Sequence, residues 1–387
     1  MKMRNLIFLA LVSVGVATPQ SDPVAAWRSG VKIRPATPHR DRHTVHTYFN
    51  LSPESPDGRW LLYYTSTEPE GNSGDVRILE RATGKERIIA RNVTTEDAHR
   101  VACQQWVSGG KRVVFHDLRN GAWVVAAVDV ATGKERVLVK DRLVSWGAAG
   151  GDIVPIYGKH WDPGPHRDLE LVNVATGEIR TTATAEGVRK TYAEAVAKQF
   201  GEKPISIFFP IMSPDGKRAI FKLATPAGGD FRSAAASNRE MVIGYDLQKS
   251  RFLFVQARWG HPAWHPDSRT LLNVGTLTDT DTGALRRIPG LPAFRGSHPS
   301  VGPDGRIFVT DTLTQEFGGQ KGEWGVAVAD LAGESWVMLH RFDGSHGAKS
   351  WRRSHPHPVF SADGKRIYFN VNATQWTELY VAEIEGR

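Results

Sequence analysis

Residues 214–222, Pro214-Asp215-Gly216-Lys217-Arg218-Ala219-Ile220-Phe221-Lys222, set a tight-turn tripeptide directly before an apolar run. Asp-Gly supplies the positive-φ position of a hairpin turn, so the run reads as the second strand of a hairpin. The same figure returns along the chain. Pro56-Asp57-Gly58 precedes Arg59-Trp60-Leu61-Leu62-Tyr63-Tyr64, and Ser108-Gly109-Gly110 precedes Lys111-Arg112-Val113-Val114-Phe115. A weaker copy, Ala149-Gly150-Gly151, leads into Ile153-Val154-Pro155-Ile156-Tyr157. Pro266-Asp267-Ser268, Pro303-Asp304-Gly305 and Ala362-Asp363-Gly364 complete seven copies. Several continue into a second hairpin with an Ala-Thr-Gly turn, at 82–84, 131–133 and 175–177. Two hairpins per repeat make a four-stranded blade, and seven blades close a ring: the pattern predicts an all-β, seven-bladed β-propeller. The last repeat has only three strands. Val31-Lys32-Ile33-Arg34 alternates suitably and is expected to complete that blade, which makes residues 27–387 one domain.

Ahead of the repeats, Lys2 and Arg4 are followed by an apolar run from Leu6 to Ala17 that ends in Gly15-Val16-Ala17. A charged start, a short apolar stretch and a small-x-small end predict a signal peptide over 1–17 and export to the periplasm or medium. The run is shorter than the ~20 apolar residues of a membrane span, and no span is expected elsewhere. The net charge of +8, less the two charges of Lys2 and Arg4, becomes +6 after cleavage. That excess, with 12 Trp and 8 Tyr, suits an acidic or carbohydrate partner, and no nucleic-acid-binding motif is present. Cys103 is the single cysteine, so the chain has no internal disulfide and no thiolate metal cluster.

The repeat register converts position into location. The innermost strand of a blade runs from one face to the turn and the second strand returns. Residues five before the turn and eight after its first residue are therefore expected on one rim of the central channel. His261, His298 and His357 hold the first position, each followed by proline. Tyr64, His116 and Tyr157 hold the second, and His46, His99 and His355 lie just upstream of the first. The loop after Tyr157 carries Lys159, His160, His166 and Arg167. The loop after Lys222 carries Arg232 and Arg239, and Lys349, Arg352 and Arg353 precede the final blade. Val188, Tyr192, Val196 and Phe200 recur every four residues before Gly201, which predicts a short amphipathic helix over the same face. Convergent imidazoles at a channel mouth suit a divalent ion or an acid–base pair. Taken singly, a His-Pro before a propeller strand is more often structural than functional, His116 and Tyr157 also read as strand-end packing, and a loop arginine is usually a solvated charge.

The chain resembles the propeller polysaccharide lyases. Residues 354–384, SHPHPVFSADGKRIYFNVNATQWTELYVAEI, look like the closing blade of the oligogalacturonate lyases. The resemblance implies a manganese site from His355, His357 and a histidine of an earlier blade, here His261, together with a glutamine. Arg352 stands at the glutamine position, and a cation is no metal ligand. Arg239, in SNREMVIGYDL, matches an arginine of that family. HRVACQQW, VVFHD and the tyrosine of VPIYG are more similar to the ulvan lyases, where a histidine pair, a tyrosine and an arginine surround the uronate; His99, His116, Tyr157 and Arg167 match.

The resemblance implies β-elimination at a 4-linked uronic acid in an acidic poly- or oligosaccharide. A cation must neutralise the carboxylate beside the weakly acidic C5 proton, a base removes that proton, and an acid protonates O4. Tyr157 and His116 are expected to share the proton transfers, with His99 beside them. Arg167, Arg239, His298 and Arg352 are expected to bind substrate. His261, His355 and His357 are expected to hold one divalent ion, whether manganese, zinc or calcium. The competing class is a non-catalytic, TolB-like propeller that binds a protein or glycan. A hydrolase or peptidase accessory domain is disfavoured, because no Gly-x-Ser-x-Gly motif and no appended domain is present.

Overall fold

Each Asp-Gly turn reverses the chain between an inner strand and its neighbour, and the left-handed backbone this requires sits on Gly58, Gly216, Gly305 and Gly364 (φ 68 to 70°). The fifth copy has serine there, and Ser268 adopts φ 60° all the same. In the computed structural model, which describes residues 22–97, 99–345 and 355–385, these hairpins build seven four-stranded antiparallel sheets. The expected signal peptide and Arg352 lie outside the described residues. The inner strands are His43–Val45, Gln105–Val107, Leu143–Val144, Ser206–Met212, Ala263–Trp264, Ser300–Val301 and Val359–Phe360, one for each of blades one to seven. The protein is a seven-bladed β-propeller.

In blade seven, Val31–Pro35 pairs antiparallel with Glu378–Ile384 as the outermost strand, in the register Val31 to Ile384 and Pro35 to Tyr380. On the turn face, buried Glu54 of blade one accepts hydrogen bonds from Arg366 of blade seven (2.6 and 3.2 Å) and from the Tyr368 hydroxyl, and it pairs with Arg81 (3.3 Å). A buried carboxylate persists only when its charge and lone pairs are met, and these three donors meet them.

The core consists of apolar faces between neighbouring blades. Leu62, Val76, Ile78, Trp106, Val113 and Phe115 fill the space between blades one and two. Between blades three and four the predicted helix is present but broken in two, Ala185–Thr191 and Ala193–Phe200, with Tyr192 in a non-helical conformation at the junction. Thr184 caps the first piece by accepting from the Gly187 amide, and Val188, Val196 and Phe200 are buried against the two blades. No helix among the described residues is long and apolar enough to cross a membrane.

One bulge positions the channel. The pairing of Ser206–Met212 with Arg218–Pro226 shifts between Phe208 and Ile211, and Phe209 takes φ 58°. The Phe209 ring packs 4.6 Å from Trp146 and 5.8 Å from Tyr48. Tyr48 also stacks on Trp146 (5.3 Å) and meets the rings of His298 (5.6 Å) and His357 (4.6 Å). A side chain that touches residues of blades three and four and the approaches to blades six and seven must lie near the axis. Tyr48, Trp146 and Phe209 thus form an aromatic plug across the channel. Beyond it, on the turn face, a separate apolar hollow is lined by Met212, Pro214, Trp264, Pro303 and Phe360.

Candidate functional site

Above the plug, on the face away from the turns, a cavity of about 660 Å³ opens. The approaches to the inner strands supply its imidazoles: His99 before blade two, His261 before blade five, His298 before blade six and His355 before blade seven. His357 lies just beneath. The ring centroids of His298 and His357 are 4.3 Å apart, those of His298 and His355 5.1 Å, and those of His261 and His298 4.9 Å. His99 stands 4.9 Å from His355 and 5.0 Å from His357. The rest of the wall includes Asp97, Arg239, Glu240, Trp259 and, from the second helical piece Ala193–Phe200, Gln199. Backbone strain gathers here too: Val101, Cys103, Phe209 and His357 all have φ between 46 and 58°. A β-branched residue such as Val101 avoids this region unless its surroundings impose it.

His298 is the best-anchored ring. Its Nδ1 lies 2.6 Å from an oxygen of Asp311, whose other oxygen accepts from the amides of Ser297 (3.0 Å) and His298 (3.2 Å). Burial works to raise the Asp311 carboxyl, but the His298 charge and hydrogen bonds outweigh it and hold the group below the usual carboxylate range. An ionised Asp311 fixes His298 with Nδ1–H toward it and leaves Nε2 to face the other way. His261 differs. Burial, the largest cause, pushes its imidazole well below the ordinary value, so it stays neutral.

Three site expectations need correction. His99, not His261, shares a point with His355 and His357: one ligand nitrogen from each of these three lies within 4.8 Å of the others. His261 is on the far side of His298. The donor set fits a divalent ion, since both His357 nitrogens are buried without a hydrogen-bond partner among the described residues.

His116 and Tyr157 do not open onto the channel mouth. Both are fully buried and neither lines the cavity. His116 packs edge-on to Trp123 (5.6 Å), and burial drives its imidazole down to about 3. Tyr157 packs against Phe208, and its hydroxyl accepts from Arg100 at 3.4 Å. Arg100 is itself buried and bonded to Glu96 and, at 3.4 Å, to Asp97. Burial raises the Tyr157 phenol well above its ordinary value despite that arginine, which does not suit a proton acceptor. Tyr157→Phe is therefore expected to act on stability. Losing one acceptor of a buried guanidinium costs about 1–2 kcal/mol, read as a lower urea midpoint, while turnover stays within about tenfold.

Arg167 is also elsewhere; its Nε donates to Gly164 within its own loop, at 3.1 Å, and it is not in the wall. Arg239 is in the wall, over the rings of Phe208 (5.6 Å) and Trp259 (5.8 Å). The register also held two residues that attention to tyrosine and histidine passed over. Lys222 and Asp311 stand eight residues after the first turn residue of repeats four and six, as His116 and Tyr157 do in repeats two and three.

Fold and site together define a seven-bladed β-propeller with an imidazole-lined cavity at one mouth of a plugged channel. Among solved structures, oligogalacturonate lyase from Vibrio parahaemolyticus is similar over 91% of this chain and 93% of that chain, with a TM-score of 0.62 and 16% identity. A chain of the mitotic checkpoint complex matches over 99% of this chain and 100% of that one, at a TM-score of 0.52 and 10% identity. TolB from Acinetobacter baumannii matches over 72% and 63%, at 0.41 and 12%. No protein-family model matches the sequence, and no curated protein does. At these identities the likeness establishes the propeller and leaves its chemistry to the residues.

Proposed function

We propose that this protein is an exported polysaccharide lyase that cleaves a 4-linked uronate glycan, of the ulvan or oligogalacturonate kind, by β-elimination. The observation that carries the reading is the adjacency of a neutral imidazole, His261, and a carboxylate-anchored one, His298, in a cavity whose wall also holds Arg239. Elimination needs two proton transfers and a cation, and these residues can divide the work. Arg239 pairs with the uronate carboxylate and makes C5 more acidic. Neutral His261 removes the C5 proton. His298, its ring oriented by Asp311, returns a proton to O4. His99, His355 and His357 would hold a divalent ion, which would add charge to neutralise the carboxylate. A cavity open at one face suits a polymer met outside the cell.

The test is incubation of the purified protein with polygalacturonate, its oligomers and ulvan. The expected result is a rise in ultraviolet absorbance from the conjugated 4,5-unsaturated product on at least one of them. A protein that binds these glycans and yields no unsaturated end is instead a binding propeller.

A further inference from the structure

The second strand of blade four carries Lys222 inward beneath the cavity. Its side chain is 2% exposed, and Nζ has no hydrogen-bond partner among the described residues. The amine lies 3.6 Å from the centroid of the Trp259 ring and 4.6 Å from that of Phe209. Trp259 belongs to the cavity wall, beside His261 (5.5 Å) and under the Arg239 guanidinium, so its ring covers the amine on the cavity side. The charged or titratable groups that act on Lys222 are Arg100 from the approach to blade two, Arg239 from the third strand of blade four, and His261 from the approach to blade five. No carboxylate is among them. Glu96 and Asp97 are bonded to Arg100, and Asp311 to His298.

A buried ammonium with aromatic faces around it and two guanidinium groups as its charged neighbours lacks its counter-charge. Burial first, then Arg100 and Arg239, push the Lys222 amine well below its ordinary range. A donor group without an acceptor, behind the wall of an open cavity, is a site made for an anion.

We propose that Lys222 receives the carboxylate of the bound uronate together with Arg239: the Trp259 ring turns aside, the amine takes one proton from solvent, and the ammonium pairs with the carboxylate. The proposal rests on the uronate reading and adds to it a group, Lys222, and a linkage between binding and protonation. The step balances, with one neutral amine, one proton from water and one carboxylate giving one ion pair. Trp259 reports it, because its ring is in contact with the amine before binding and not after.

The experiment titrates the full-length protein with galacturonate, and with galactose as the uncharged counterpart, at about pH 8 in weak buffer containing an indicator dye. Tryptophan fluorescence is followed in parallel. The expected result is uptake of close to one proton per galacturonate bound, a change in fluorescence, and no uptake with galactose. Lys222→Met should abolish the uptake and weaken binding on the order of 10–100-fold, the worth of one charged hydrogen bond. Lys222→Arg, charged at every pH used, should keep binding and lose the uptake. Galacturonate bound without uptake, or uptake that persists in Lys222→Met, overturns the assignment, as does absence of uronate binding. Uptake by a protein that forms no unsaturated product from uronate polymers leaves Lys222 as the anion receptor and removes the lyase reading. Product formation without uptake removes Lys222 and leaves the lyase.

Discussion

His261→Ala is expected to lower the rate of unsaturated-product formation by about 10²–10⁴-fold, the usual contribution of a positioned general base. The ring lines the cavity wall with Arg239 and touches Trp259 and His298, which on the lyase reading puts it where the C5 proton of a uronate held by Arg239 would lie. Its neutrality at physiological pH follows chiefly from burial, and a base must be neutral to accept. The variant should fold normally, because the half-buried ring lines the cavity wall rather than a blade core. Asp215→Asn, in a turn on the opposite face, is the control and should leave the rate nearly intact. A His261→Ala protein with an undiminished rate would exclude this ring from proton transfer and shift attention to His298.

Mild acid should destabilise the fold before its carboxylates titrate. His46 and His116 are fully buried, and burial lowers their imidazoles from 6.5 to about 4 and about 3. Between those values and 6.5 the unfolded chain binds protons that the folded chain refuses, so stability is complete above pH 6.5 and lost as pH falls. Each ring contributes about 1.4 kcal/mol per pH unit across its window, or about 3 kcal/mol per unit for the two between pH 6 and pH 4. Urea midpoints measured at steps from pH 7 to pH 4 should fall steeply over that range. In His116→Leu the slope should drop by one ring's share, about 1.4 kcal/mol per pH unit, with the remainder left by His46 and the lowered imidazoles of the cavity. A midpoint that stays level from pH 7 to pH 5 would mean that these imidazoles are not held neutral in the folded state.

The repeat register made the propeller legible because turn chemistry is local: an Asp-Gly pair and the apolar run behind it need no distant contact to declare a hairpin. It located the imidazole cluster for a related reason. The residue five before each turn lies at the start of an inner strand, where side chains face the axis, and His261, His298 and His357 meet there. The companion position, eight after the first turn residue, misled on depth. It belongs to the second strand, one layer outward, where side chains are covered by neighbouring blades. Tyr64, His116, Tyr157, Lys222, Asp311 and Asn370 all occupy it, and all are buried. That position carries the polar groups that support the rim, as Asp311 supports His298. His99 joins His355 and His357 through a loop that follows no register, so its place in the trio depends on tertiary packing alone. The helix break at Tyr192 was hidden for a similar reason, since the four-residue spacing runs unbroken through it.

The plug of Tyr48, Trp146 and Phe209 makes the cavity a cul-de-sac. On the lyase reading, a polymer is not drawn through the ring, and successive cuts do not proceed by reeling the chain along an axial tunnel. A glycan substrate would dip into the mouth, react and back out by the way it came. Departing fragments and incoming chains would then compete for one doorway, and each encounter would end in release.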